Sequence, residues 1–341
     1  MAEYGDITQK STSRWPQTLS RRQFLISSAA LGAAAVLSGA KGALAQSTPL
    51  ASLSQATRPA ASESVVVIGH NERVLAGLQV RTKFLREILD ESVIHLSGQD
   101  TLRSAWAQYV VPGQRILLKF SEPVGILGSE EPMLSVLLQS LEEAGHHRKD
   151  ITVADGPASA FSEGAIVAPS GWCTQSVPLL GEQEPLRRYL DGIDAIISVP
   201  FISHHNRYGV SCAMTNVTLP FIRHPSKYDS RVDEAIVSLY EMPQLQSITR
   251  VTIVNAVYGS FDHGPAIDPS CLGSDHSLWA SRDAVALDRL ALEWVQRQRR
   301  IHNLSPLSSG EGAWPGYIKL AADRGLGQDD LRLIRRDTLT L

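Results

Sequence analysis

Residues able to bind or move charge recur where short apolar runs end. Lys119 and Ser121 close the run at 115–120, and Asp155-Gly156-Pro157 follows the run at 150–154. Ser203-His204-His205-Asn206 comes after 195–199, and Asp262-His263-Gly264-Pro265 lies beyond 250–255. Of ten histidines, His204, His205, His224, His263 and His276 all fall between 204 and 276, so imidazoles concentrate in one stretch. Neutral imidazole is a general base near pH 7, and with carboxylates it makes a ligand set for zinc or another divalent ion. The expected division of labour gives proton transfer to His205, His224 and Asp155. Substrate charge goes to Lys119, Asn206, Asn216, Arg223 and Arg282, and a divalent metal goes to His205, His263 and Asp155.

Each residue also has a plainer reading. A loop histidine often meets only solvent, a strand-end lysine can snorkel, an aspartate before Gly-Pro forms turns, and Ser281 or Asp283 can cap a helix. No HExxH, GxGxxG, Walker loop or GxSxG is present, so nucleotide binding and a serine-hydrolase elbow lack support.

The elements that must position these residues alternate. Apolar runs predict strands at 64–68, 115–120, 150–154, 195–199 and 250–255. Helical spacing appears at 74–89, 101–110, 131–144, 184–190, 231–240 and 283–299. Strands alternating with helices predict an α/β fold in three layers, a mainly parallel sheet with helices on both faces. Right-handed crossovers bring the carboxyl ends of such strands to one edge, where open α/β proteins hold ligands. The connection at 200–230 is too long for a simple crossover and reads as an active-site loop.

Ser20-Arg21-Arg22-Gln23-Phe24-Leu25 precedes an Ala-rich run closing on Ala43-Leu44-Ala45. This reads as a twin-arginine signal over 1–45, with a flexible leader at 46–63 and a single α/β domain at 64–341. The expected location is the periplasm or another exported compartment, and the expected partner is the twin-arginine translocation machinery. The apolar run is far short of the roughly 20 residues a spanning helix needs, so no permanent membrane anchor is expected. Residues 1–45 carry a net charge of +3 and the whole chain −3, leaving −6 on the remainder. That balance disfavours nucleic acid and leaves a small anionic ligand as the expected partner of the lysine and arginines. Cys173, Cys212 and Cys271 form no CxxC or CxxCH, which disfavours iron-sulfur clusters and haem c. They read either as one disulfide plus a thiol or as three small buried residues.

The segments ILLKFSEP, SLEEAGHHRKDITVADGP, DAIISVPFISHHNRYGVSCAMTNVTLP, VTIVNAVYGSFDHGP, WASRDAVALDRLALEWV and GYIKLAADRGLG together resemble domain of unknown function 362 in its exported form. The resemblance runs from Ser64 to Gly327. It implies roles for Lys119, His205, Asn216, Arg223, His224, Gly264-Pro265 and Ser281-Arg282-Asp283, which match the family pattern. Ser121 stands where Asn is usual, Thr215 where Lys is usual and Asn255 where Asp is usual. Some relatives carry ferredoxin-type cysteine clusters, which are absent here. The clustered titratable residues make an enzyme acting on a small anion, with or without a metal, the leading reading, with a binding protein without turnover as its competitor and a structural or assembly partner as a third.

Overall fold

A computed structural model describes residues 63–121, 128–308 and 314–341. The twin-arginine segment and nearly all of the leader lie outside these residues. In chain order the main elements are β1 (Ser64–His70), α1 (Thr82–Ser97), α2 (Leu102–Trp106), β2 (Ile116–Phe120), α3 (Glu130–Glu143), β3 (Ile151–Ala154), β4 (Ile166–Val167) and β5 (Ala195–Val199). Then come β6 (Phe201–His205), β7 (Gly209–Ser211), α4 (Ala213–Asn216), α5 (Val232–Tyr240), β8 (Thr249–Ser260), β9 (Leu272–Ser281), α6 (Ala284–Ile301), α7 (Gly316–Asp323) and β10 (Ile334–Thr340).

The central sheet follows the order β10-β1-β9-β8-β5-β2-β3-β4, and β6 branches from β8 to pair with β7. Every strand of the main path is parallel except β9, which runs against both β1 and β8. Strands buried on both faces alternate their side chains between two cores. Leu117, Ile196 and Val254 face one core with Leu287, Ala291 and Trp294 of α6. Ile116, Leu118, Ile197 and Ile253 face the other with Leu85 and Ile88 of α1 and Leu137 of α3. Helices therefore cover both faces of a mainly parallel sheet, the three-layer α/β architecture expected.

Two predicted helices differ. The segment at 184–190 is the strand Glu182–Arg187, hairpinned with Trp172–Leu179, followed by a single 3-10 turn. Glu184 and Leu186 are buried in alternation, a period of two that Pro185 also favours over a helix. The segment at 74–89 becomes helical only from Thr82, because Gly77 takes φ +61 in a small hairpin before it. Among the described residues no helix is long and apolar enough to cross a membrane. All three cysteines are unpaired, with Cys212 and Cys271 buried.

Candidate functional site

At the carboxyl ends of β2 and β3 the sequence places a cation and a carboxylate side by side. Lys119 is fully buried, and its ammonium donates to the Phe120 carbonyl at 2.6 Å and to Asn216 Oδ1 at 3.1 Å. Asp155 Oδ2 lies 2.9 Å away as the counter-ion, without hydrogen-bond alignment, from a residue held at φ +51. Asn216, at the end of α4, turns both amide hydrogens inward, to the Lys119 carbonyl at 2.9 Å and Ser198 Oγ at 3.0 Å. The result is a polar knot joining β2, β3, β5 and α4. Its hydrogen bonds are spent internally, so Lys119 and Asn216 act here as framework rather than as outward-facing substrate groups.

A cleft of about 400 Å³ opens beside the knot. Its lining includes Ser121, Phe201, Ser203, His205, Arg207, Tyr208, Ser211, Thr215, Asn216, Asp229 and Pro265. Strand alternation explains the choice: Phe201, Ser203 and His205 of β6 face the cleft, while His204 faces the other way and accepts from Gly264 N at 3.1 Å. The expected loop at 200–230 is thus largely ordered structure, a strand pair followed by α4.

His205 is held closely. Its ring stacks on Tyr208 with centroids 3.6 Å apart and planes 7° apart, and its Nδ1 accepts from Arg207 N at 3.2 Å. Burial first, then the charges of Arg207 and His204, pushes its pKa down to about 4. The neutral ring therefore carries its proton on Nε2, as a hydrogen-bond donor. Ser121 Oγ accepts from Phe201 N, which leaves its own hydroxyl proton for the cleft. Thr215 is more committed: its hydroxyl accepts from Cys212 N at 2.9 Å and meets Ser211 Oγ at 3.0 Å. Arg207 and Asp229 form an ion pair between the β6–β7 turn and the segment before α5.

The other expected residues lie apart from this lining. His224 Nδ1 is 3.1 Å from the fully buried Glu184, which also accepts from Tyr228. Burial alone would raise the Glu184 pKa, but hydrogen bonds from His224, Tyr228 and Lys227 outweigh it and hold the carboxyl low. Asn206 and Arg223 are exposed and do not line the cleft. Arg282 is a correction of place. Because β9 is antiparallel, Ser281 pairs with Thr252 near the amino end of β8, so Arg282 lies at the opposite edge of the sheet. Asp283 caps α6 through Ala286 N at 2.9 Å, the plainer of its two readings. Asn255 donates to Ser129 Oγ at 3.1 Å, away from the cleft.

The expected metal set also separates. Asp155 belongs to the Lys119 knot, His205 to the cleft and His263 to the corner between β8 and β9. Among the described residues one group gathers three metal-ligating atoms within 4.8 Å of one another, namely Asp262, His263 and Cys271. Gly264 joins this corner to the cleft: a Cβ there would stand 1.7 Å from the His204 carbonyl, so only glycine allows the approach.

Residues 175–293 match the family described as domain of unknown function (DUF362). That span covers the named cleft lining except Ser121, the Asp262–Cys271 corner and the start of α6, and it supports the family resemblance there. No curated protein matches the chain. Among solved structures, the lactate racemase apoprotein from Thermoanaerobacterium thermosaccharolyticum is similar at 11% identity and a TM-score of 0.40. The match covers 69% of this chain and 57% of that one, so the chain spans little over half its length.

Sequence reading missed Arg207, Tyr208, Asp229 and Asp288. The first two were visible in HHNRYG, since a turn one residue past a cleft-facing strand must share its rim. Asp288 gave no signal, because it looks like any polar position on α6. It is fully buried and accepts from Ala213 N at 2.6 Å and Met214 N at 3.1 Å, fixing the start of α4.

Proposed function

We propose that the strand-end cleft binds a small anionic molecule, and that the chain works as an exported binding protein. The observation that carries this reading is the His205 ring, held neutral with its proton on Nε2 in a cleft that Arg207 also lines. The hydroxyl proton of Ser121 adds a further donor, as oxygen atoms of an anion require. With its Nδ1 lone pair engaged, His205 serves as a donor and not as a base, which favours binding over turnover. Export rests on Arg21-Arg22 before the Ala-rich run, and the translocation machinery is the partner this implies.

In this reading the ligand replaces Asp229 on Arg207, so Asp229 competes with every anion that enters. Isothermal titration of the full chain with malonate, succinate and inorganic phosphate tests it. Arg207→Ala should weaken binding about tenfold or more, as loss of a charge-assisted hydrogen bond does. Asp229→Asn should strengthen it, and affinity corrected for each probe's own second ionisation should stay flat from pH 5 to 8, because His205 titrates below that range. If no probe binds Asp229→Asn more tightly than wild type, the anion reading is wrong.

One observation favours the second reading, turnover: Asp155 is held 2.9 Å from the Lys119 ammonium, which is bonded to Asn216 of the cleft lining. Deuterium incorporation next to the carboxylate of a bound probe in heavy water, lost in Asp155→Asn, would establish it.

A further inference from the structure

The corner between β8 and β9 holds a group of side chains that the cleft does not use. Asp262 Oδ2 lies 3.7 Å from His263 Nε2, and Cys271 brings a thiol into the same group, with all three ligand atoms within 4.8 Å. Each has an outer partner that leaves a ligand atom facing inward. Arg299 donates to Asp262 Oδ1 at 2.7 Å, which leaves Oδ2 for the imidazole side. Asp268 Oδ2 stands 3.6 Å from His263 Nδ1, behind the ring, and Ser270 Oγ stands 3.8 Å from the Cys271 sulfur. A carboxylate behind a histidine and a donor behind a carboxylate are the outer contacts that orient metal ligands.

We infer that Asp262, His263 and Cys271 bind one zinc(II)-class ion, with solvent in the fourth position where His263 is exposed. A tetrahedral zinc with bonds of about 2.0–2.3 Å spaces its ligand atoms roughly 3.3–3.7 Å apart. The Asp262–His263 separation of 3.7 Å already falls in that range, and the exposed His263 ring can turn to tighten the rest of the set, now within 4.8 Å. Thiolate and imidazole together select zinc over magnesium or calcium, which take oxygen ligands. On binding, the Cys271 thiol proton passes to solvent as the sulfur–metal bond forms, and no oxidation state changes.

The ion's place gives it a task. Gly264 N donates to His204 at 3.1 Å, Asn206 N donates to the Gly264 carbonyl at 3.2 Å, and Pro265 lines the cleft. A metal at 262, 263 and 271 therefore pins the corner that closes one cleft wall. This site is separate from the cleft ligand, and its failure would leave that reading standing.

The test strips the full chain with a chelator and titrates it with cobalt(II), then with zinc(II) in competition. One equivalent should bind with a thiolate-to-cobalt charge-transfer band in the near ultraviolet, and zinc should displace it. Cys271→Ser should abolish the band and Cys173→Ser should keep it. Asp268→Asn should weaken zinc about 10- to 100-fold, the usual cost of losing an outer partner. His263→Asn, which tolerates the backbone φ of +62, should weaken it at least as much. Absence of the band in folded wild type, or its persistence in Cys271→Ser, overturns the inference. Should Cys271→Ser fail to fold, unchanged zinc affinity in the exposed His263→Asn variant overturns it instead.

Discussion

Lys119, next to last in β2, and His263, just past β8, both sit by the carboxyl end of a strand in one sheet, yet their surroundings differ in kind. Around Lys119 the contacts are short, 2.6 to 3.1 Å, and the ammonium has no exposure to solvent. Around His263 the nearest carboxylates stand at 3.6 and 3.7 Å and the ring is 58% exposed. Polar atoms that satisfy one another build framework, whereas polar atoms that converge without closing leave capacity for a guest. The same residue types serve opposite purposes, decided by how much of their bonding is already spent.

The sharpest way to break this comparison is to open the knot. Lys119→Ala leaves Asp155 without its counter-ion and Asn216 Oδ1 without its donor, and removal of one partner of a buried pair costs about 3–5 kcal/mol. Asp155 is partly exposed and can hydrate, so the lower end of that range is expected in urea denaturation. The double variant Lys119→Met with Asp155→Asn should recover much of the loss, since no stranded charge remains. A single-variant cost below about 1 kcal/mol would show that the knot is not framework.

Buried and open carboxylates should also respond to pH with opposite sign. Burial, aided by the charge of Asp283, pushes Asp288 up to about 7 against the hydrogen bonds from Met214, Ala213 and Tyr317. Its folded form holds a proton that the unfolded chain releases near pH 4, so its contribution is full below that and fades as pH rises towards 7. The slope approaches about 1.4 kcal/mol per pH unit, and Asp288→Asn should flatten it in denaturation series from pH 4 to 8. At the corner, burial would raise the Asp262 pKa, but the hydrogen bond from Arg299 outweighs it and lowers the value. Its contribution is present above the ordinary carboxylate range and is lost as pH falls through the lowered value. A wild-type profile that Asp288→Asn leaves unchanged would contradict the first half of this contrast.

Sheet and layers were legible because the apolar runs at 116–120 and 195–199 admit little but doubly buried strands. Position along those strands then placed Lys119 and Asp155 at one edge correctly. The sequence could not show that Asn216, 97 residues on, would consume the Lys119 ammonium, since hydrogen-bond accounting requires the tertiary partner. Nor did LGSDHSLWAS look like a strand, because its first half is polar and its continuously buried half, Ser277 to Ser281, begins and ends on serine. Missing that one antiparallel strand was enough to move Arg282 to the wrong edge. The paired His204-His205 looked like one feature, and strand alternation divides it between the corner and the cleft.

The smallest expected effect separates the two regions most finely. In chelator, His263→Asn should change stability by no more than about 0.5 kcal/mol, as exposed substitutions usually do. With free zinc at a hundred times its dissociation constant, wild type should gain about 2.7 kcal/mol while the variant gains far less, because only the folded corner brings the ligands together. A stability difference that is already large in chelator would mean the corner carries framework of its own, and the contrast with Lys119 would fail. A difference that appears only with zinc would mean that the corner, unlike the knot, acquires its contribution from the guest.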